Sequence, residues 1–586
     1  MAKLPQIILA VWLMSASSGL LCAAEAPITP PPKPMILDMV HYNPGEPRYQ
    51  TRFEDPSLIK SMGYTGKVYF LFDSPVLAVD WEKVDPEIFP KGSEGRKGVD
   101  ETAARIDKEL AECKAQGLET YAMGDLILFP KTLVTKYGME KTFGDPRNAE
   151  TQKYLRLLIG QIFERFTNLD GLVVRVGETY LQDAPFHMGK IDHKQDAQRT
   201  IIPLVNLLRQ EICVNRGKKL IFRTWLSFDT DLNTYLKVSN GVEPHPNLIF
   251  GVKHVEGDFH RSNPFSKIIG EGRHRQIIEV QCSREYEGKG AYPNYIAHGV
   301  IDGFEEHRLK PTPARFTSIG EFAHKSPLWA GLWTWSRGGG WGGPYIKNEL
   351  WADLNAWVLA QWAKAQISVI AAVHDRPASS PAQNEQPQTA ATTEEKIFHR
   401  YATEQLKLSE DDAAKFRQLA LLSEAAVIRG RVSTLGDVNV WWSRDDGMTV
   451  PPVDLPAETL QKVLAEKDEA VELWGKIVAL AKEIHFADPR TADFVVVSCR
   501  YGQELYRIYQ AAFHLAVLGK QGDPAKIRLW LERYDQAWAD YRALPSQSDQ
   551  CPTLYREAAA KYSNPKAVGI DKFIAELRTS LPKTRP

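Results

Sequence analysis

The stretch IIEVQCSREYEGKG, residues 277–290, decides how the whole chain is read. It starts as an apolar, β-branched run and breaks into a polar, glycine-ended loop carrying Glu279, Gln281, Arg284, Glu285 and Glu287. Side chains alternate between the two faces of a strand, so Ile277, Glu279 and Gln281 share one face and Ile278 and Val280 the other. Carboxylates and amides are costly to bury without partners, and two of them pointing one way predict a polar pocket. A strand that delivers such groups to its own C-terminal end is the habit of a (β/α)8 barrel, which builds its functional face there. On this reading Glu285 lies in the pocket, Glu279 and Gln281 form its wall, and Glu287 lies on the loop surface.

Seven further runs of β character accompany it: MILDMV (35–40), KVYFLF (67–72), ETYAMG (119–124), GLVVRVG (171–177), KLIFRTWL (219–226), NLIFGVK (247–253) and GLWTW (331–335). Amphipathic stretches lie between most of them, for example 101–117 and 200–217, stopped by Gly117 and Gly217 just before the next strand. Eight strands alternating with helices predict an α/β fold, a (β/α)8 TIM barrel over residues 35–374. A doubly wound open sheet is the alternative, but it does not account for polar residues clustering at strand ends throughout the set. The Pro/Ser/Ala/Gln-rich stretch 375–396 reads as a linker, and 397–586 as an all-α C-terminal domain of long amphipathic helices at 411–430, 458–484, 500–520 and 525–544. The tail beyond 545 reads as a final helix.

At the N-terminus, Lys3, the apolar run 6–21 and the small residues Cys22-Ala23-Ala24 predict a signal peptide over 1–24, followed by a proline-rich spacer over 25–34. The run is short for a membrane span, so export to a periplasm or beyond the cell is expected. Lipoprotein processing at Cys22 is the weaker reading, since Leu21 is a poor residue before a lipidated cysteine. Lys and Arg number 72 against 73 Asp and Glu, so no global field points to nucleic acid or an anionic membrane. Cys113, Cys213, Cys282, Cys499 and Cys551 are scattered without zinc spacing, and neither a metal nor an organic cofactor is implied.

Read in turn, the strand ends supply a constellation. The fourth ends near Arg175 and Glu178, and the fifth carries Arg223 and Trp225 on one face. The sixth ends in Lys253 and His254 and runs on to Asp258, the seventh leads to Glu285, and the eighth carries Trp333 and Trp335. Glu178 lies three strands from Glu285, so the two face each other across the mouth, with Asp258 beside Glu285. One carboxyl opposite two others suits glycoside hydrolysis, which needs an acid for the leaving oxygen and a carboxylate to activate water or attack carbon. Arg223 and Lys253 add cations suited to an anionic group such as a carboxylate.

The segments DGLVVRVGET (170–179), IFRTWL (221–226), VKHVEGDF (252–259) and EVQCSREYEG (279–288) together resemble the glycoside hydrolase family 67 α-glucuronidases, and 399–427 resembles the start of that family's helical domain. The first strand begins near residue 35, so the expectation is a distant relative lacking the family's usual N-terminal β domain. The resemblance implies an exo-acting, inverting hydrolase that removes a terminal uronic acid from oligosaccharides derived from plant or algal polysaccharide. It puts the general acid on Glu178, the water-activating pair on Asp258 and Glu285, and carboxylate contacts on Arg223 and Lys253, with Arg175 where a lysine is usual. Trp225, His254, Glu279 and Trp335 complete the expected substrate-binding set. A homodimer through the helical domain is a further expectation. A related glycosidase acting on another acidic glycan, a uronate lyase using Tyr286 or His254, and a glycan-binding barrel without turnover are the alternatives.

Overall fold

A computed structural model describes residues 33–42, 50–69, 74–176, 184–189, 196–225, 228–309, 314–338, 344–374, 390–435, 448–554 and 569–582. The expected signal peptide and nearly all of the spacer lie outside these residues. Among the described residues ten strands form: β1 (Met35–His41), β2 (Gly66–Tyr69), β3 (Glu119–Gly124), β4 (Leu128–Pro130), β5 (Gly171–Val174), β6 (His187–Gly189), β7 (Lys219–Arg223), β8 (Leu248–Lys253), β9 (Arg275–Gln281) and β10 (Trp329–Gly338). Eight close into a parallel barrel in the order β1-β10-β9-β8-β7-β5-β3-β2, the fold the sequence predicts. The short β4 and β6 pair antiparallel outside it.

Parallel strands covered by helices are buried on both faces, so they read as unbroken apolar runs, and all ten residues of β10 are buried. Closure depends on Gly331 of β10: its φ is +133°, and a Cβ there would stand 1.9 Å from the Met35 carbonyl oxygen of β1. The helix Glu94–Ala115 begins at Ser93, whose side chain accepts from the Arg96 amide, and the chain leaves it through Gly117 at φ +66°. Ala197–Leu208 continues as a π-helical turn, Arg209–Val214, before Gly217 at φ +64°.

After the helix Leu350–His374 come Ala390–Arg400, Glu410–Arg431, Ala457–Glu483, Pro489–Gln521, Pro524–Ala543 and Ile570–Ser580. Helix 390–400 begins within the stretch expected to be a linker, of which residues 375–389 lie outside the described set. Its Glu394 is fully buried, accepting from the Tyr295 hydroxyl and from both Nη atoms of Arg417 at 3.1 and 2.7 Å. A paired buried carboxylate looks like any other polar residue in sequence, which is why this stretch reads as a linker. Lys33–Pro586 forms one compact unit. One apolar cluster runs from the strands into the helices, where Tyr292 meets Trp474 and Tyr506 at 5.7 Å between ring centroids. Among the described residues no helix is long and apolar enough to cross a membrane.

Candidate active site

Alternation along the strands sorts the barrel interior into layers. Met35, Leu37, Met39 and His41 of β1 face inward, together with Tyr121 and Met123 of β3, Ile221 and Arg223 of β7, and Ile277, Glu279 and Gln281 of β9. Tyr121 donates to Met35 Sδ at 3.4 Å and Arg223 Nη1 reaches Met123 Sδ at 3.9 Å, which places these chains on one interior. Leu37, Ile221 and Ile277 make the middle of the interior apolar. The upper layer holds His41, Arg223, Lys253, Glu279, Gln281 and Trp335, so the polar groups gather where the strands end.

Arg223 and Glu279 form a two-pronged ion pair, Nε to Oε1 at 2.9 Å and Nη2 to Oε2 at 2.8 Å, with each side chain 1% exposed. Gly251 of β8 makes room for it, since a Cβ there would lie 3.2 Å from Glu279 Oε1. The guanidinium also lies 5.2 Å from the Trp335 ring and 5.5 Å from the Trp333 ring. Arg223, expected to contact substrate, is thus engaged by Glu279, and Glu279 is the pocket wall that strand parity predicts.

Lys253 projects from the end of β8 over the Trp225 ring, 3.3 Å from its centroid, and donates to Asp258 Oδ1 at 2.7 Å. The Tyr286 hydroxyl donates to Asp258 Oδ2. Burial pushes the Asp258 pKa up, but the charge and hydrogen bond of Lys253 and the Tyr286 hydroxyl outweigh it and hold the carboxyl well below the usual range. Asp258 is therefore held toward its anionic form. Asp229, nearby, moves the other way: burial raises it, and Lys253 only partly compensates. Trp225, Asp229, Lys253 and Glu279 share a narrow crevice at the ends of β7 and β8.

Glu285 is clamped by Gln281, whose Nε2 donates to Glu285 Oε2 at 3.1 Å while its Oε1 accepts from the Glu285 amide at 2.5 Å. The turn that presents Glu285 is strained at Arg284, a non-glycine residue at φ +57°. Arg284 is held by Glu287, with Nε to Oε2 at 2.6 Å and Nη2 to Oε1 at 3.0 Å, and Glu287 also accepts from the Arg261 amide at 2.7 Å. Glu287 is thereby a correction to the sequence reading: it is buried, not on the loop surface. Burial raises its pKa, and Arg284, Arg431 and Arg261 overcome this to bring it to about 2.

Arg175 lies beyond β5, its Nε 3.5 Å from Asp125 Oδ1, both buried. Its charge reaches His41, the last residue of β1, whose ring stacks on Trp335 at 4.9 Å and 11°. Burial and the cations Arg175, Arg223 and Lys253 lower the His41 pKa well below its usual value against the pull of Asp258, so the imidazole is neutral. His254, expected at the substrate, is not brought to the pocket: its ring packs beside Phe259 and Phe304, at 6.0 and 6.5 Å, because it follows Lys253 on the opposite strand face. Glu178 lies outside the described residues, which stop at Val176 on that side.

The structure therefore brings Asp258, Glu285, Lys253, Trp225, Arg175, Arg223, Glu279 and Trp335 to one end of the barrel. Sequence reasoning missed His41, Asp125 and Asp229. His41 carried a usable signal, since it continues the inward parity of Leu37 and Met39; Asp125 and Asp229 follow strand ends and carried none beyond that.

No family model and no curated protein matches the chain. Among solved structures the chain is similar to a GH138 enzyme targeting pectin rhamnogalacturonan II, at 14% identity and a TM-score of 0.51, over 93% of this chain and 67% of that one. It is also similar to a family 89 glycoside hydrolase from Clostridium perfringens in complex with 2-acetamido-1,2-dideoxynojirmycin, at 10% identity and a TM-score of 0.47, over 95% of this chain and 65% of that one. The first likeness extends to most of both chains and shows a shared fold.

Proposed function

We propose that this chain is an exported, exo-acting glycoside hydrolase that removes a terminal uronic acid with inversion, as the family 67 motifs imply. The observation that carries the reading is the pairing of two differently held carboxylates at the ends of β8 and β9. Asp258 is kept ionised by Lys253 and Tyr286, and Glu285 is aimed by Gln281. A water shared by these carboxylates passes a proton to the Glu285 carboxylate as its oxygen attacks the anomeric carbon, and the bond to the leaving oxygen breaks. Glu178, to which the resemblance gives the general-acid role, supplies the proton that the leaving oxygen takes up. Lys253 and Arg175 are the cations offered to a uronate carboxylate, and neutral His41, half-buried at the end of β1, stacks on Trp335 beside them.

The test is release from a panel of uronate-bearing oligosaccharides, pectin rhamnogalacturonan II fragments included, with proton NMR of the first anomer released. Inversion is expected, and Glu178→Gln, Asp258→Asn and Glu285→Gln each lower kcat by about 10²–10⁴-fold in folded protein. Full activity in the Asp258 and Glu285 variants would end the assignment. An unsaturated product absorbing in the ultraviolet would show a lyase, and binding without release a glycan-binding barrel. Export and a homodimer through the helical region belong to the same proposal, read by cell fractionation and by light scattering.

A further inference from the structure

Tyr286 is held from several sides. Its hydroxyl donates to Asp258 Oδ2, its ring stacks on His260 at 3.8 Å and 19°, and its carbonyl accepts from Arg431 Nη1. Arg431 is the last residue of the helix Glu410–Arg431, 145 positions further along the chain. Its side chain is 3% exposed and also lies 4.0 Å from Glu287 Oε1, one residue beyond Tyr286. The same helix is pinned to the barrel elsewhere: Arg429 meets Glu305 at 2.8 and 2.9 Å, and Glu424 meets His298 at 3.0 Å.

The end of this helix has its own support. The last carbonyls of a helix have no partner within it and need one from outside. Lys467, 1% exposed on the helix Ala457–Glu483, donates to the carbonyls of Arg429, at 2.5 Å, and of Val432. Burial is costly for an amine and lowers the Lys467 pKa to about 7, and here its donors are spent on the helix terminus from which Arg431 projects. A chain of contacts therefore leads from Lys467 through the helix end and Arg431 to Tyr286 and Asp258.

We propose that Arg431, backed by Lys467, is a positioning residue of the catalytic loop: it sets where the Tyr286 hydroxyl stands and thereby how Asp258 is oriented. Arg431 touches neither substrate nor the reacting atoms; it acts through Tyr286. The kinetic part of this inference rests on the hydrolase reading, whereas the link from Arg431 to Tyr286 does not. The helical region is on this view a component of the site and not an appendage to the barrel.

The test uses full-length protein labelled with 13C at the tyrosine Cζ, the Tyr286 resonance being assigned by its loss in Tyr286→Phe. Its hydrogen bond to the Asp258 carboxylate displaces that resonance, and Asp258→Asn marks the value when the charged acceptor is gone. Arg431→Met is expected to move the resonance toward the Asp258→Asn value, with Arg431→Lys in between. On a cleaved uronoside, Arg431→Met lowers kcat about 10-fold with KM within about 2-fold, and adding it to Tyr286→Phe costs no further rate. A Tyr286 resonance unmoved in folded Arg431→Met would overturn the proposal. Should that variant fail to fold, Lys467→Met replaces it, under the same criterion. If the wild-type protein cleaves no glycoside while the resonance moves as stated, the hydrolase reading fails and the positioning role stands.

Discussion

Asp38 and Asp258 sit in one barrel and are pushed in opposite directions. Asp258 has a cation hydrogen-bonded at 2.7 Å, whereas Asp38 of β1 faces outward among hydroxyls, with Lys67 of β2 acting on it through charge alone. There it accepts from Thr334 Oγ1 at 2.6 Å, Ser336 Oγ at 2.8 Å and the Ser336 amide at 3.2 Å. Burial dominates and pushes Asp38 up to about 6, with those hydrogen bonds and the charge of Lys67 only partly opposing it. A folded pKa above the unfolded one means that the native state binds the proton more tightly. This contribution is complete below the unfolded pKa of about 3.8 and is lost as pH rises through about 6. The unfolding free energy of the wild type, measured against Asp38→Asn, is expected to fall by about 1–2 kcal/mol between pH 5 and pH 7.5. A difference flat across that range would refute the assignment. Arg223 and Glu279 make a sharper case. Removing one partner of a buried ion pair strands the other charge, so Glu279→Leu or Arg223→Met alone costs about 3–5 kcal/mol in chemical denaturation, and the double variant costs less than either. Strand parity revealed that Glu279 points inward. It could not reveal which cation it meets, because the partner lies 56 residues away and is chosen by barrel closure. Glu287 was misread for the same reason: its burial is created by arginines that the fold, not the local sequence, brings to it.

Among the elements, legibility followed the strength of the local pattern. All eight barrel strands were readable, because double burial demands long apolar runs, and the helices of 410–431, 457–483 and 524–543 lie within a residue of the expected ends. The start of 489–521 was not readable; Asp488 caps it and Pro489 opens it, eleven residues before the expected start at 500. β4 and β6 escaped notice because three residues cannot display a period. Two helical glycines show how packing overrides propensity. Gly475, on 457–483, has only Gln503 Nε2 at 4.0 Å from where a Cβ would stand, so Gly475→Ala is expected to stabilise the protein by about 0.5–1 kcal/mol. Gly430, on 410–431, would place its Cβ 2.0 Å from the Tyr506 ring, so Gly430→Ala is expected to destabilise by about 1–3 kcal/mol despite the same gain in propensity. Thermal melts of the two variants that shift in the same direction would contradict this account.

At the scale of the molecule, the boundary drawn from composition near residue 375 is crossed by both apolar and charged contacts. Tyr292, just after the loop that carries Glu285, is fully buried among Trp474, Tyr501 and Tyr506 of the helical region. Arg261 holds Glu306 with two bonds, at 2.6 and 2.9 Å, and reaches the Glu424 carbonyl at 3.5 Å. Composition reports what a segment is made of and not what it covers, so a sequence reading separates regions that packing joins. Elements sharing one core have no means of exposing it independently, and they open together when the free energy of any part approaches that of the whole. Hydrogen exchange read by mass spectrometry in rising denaturant is therefore expected to show the peptides of β9 and of helix 489–521 opening at one common midpoint. Tyr292→Ala, which cuts the apolar bridge at a cost of about 3–5 kcal/mol, should lower both midpoints together. If the helices opened first while β9 kept its protection, the helical region would be a separate cooperative unit, and the dependence of the Asp258 site on Arg431 would be confined to conditions in which that unit is closed.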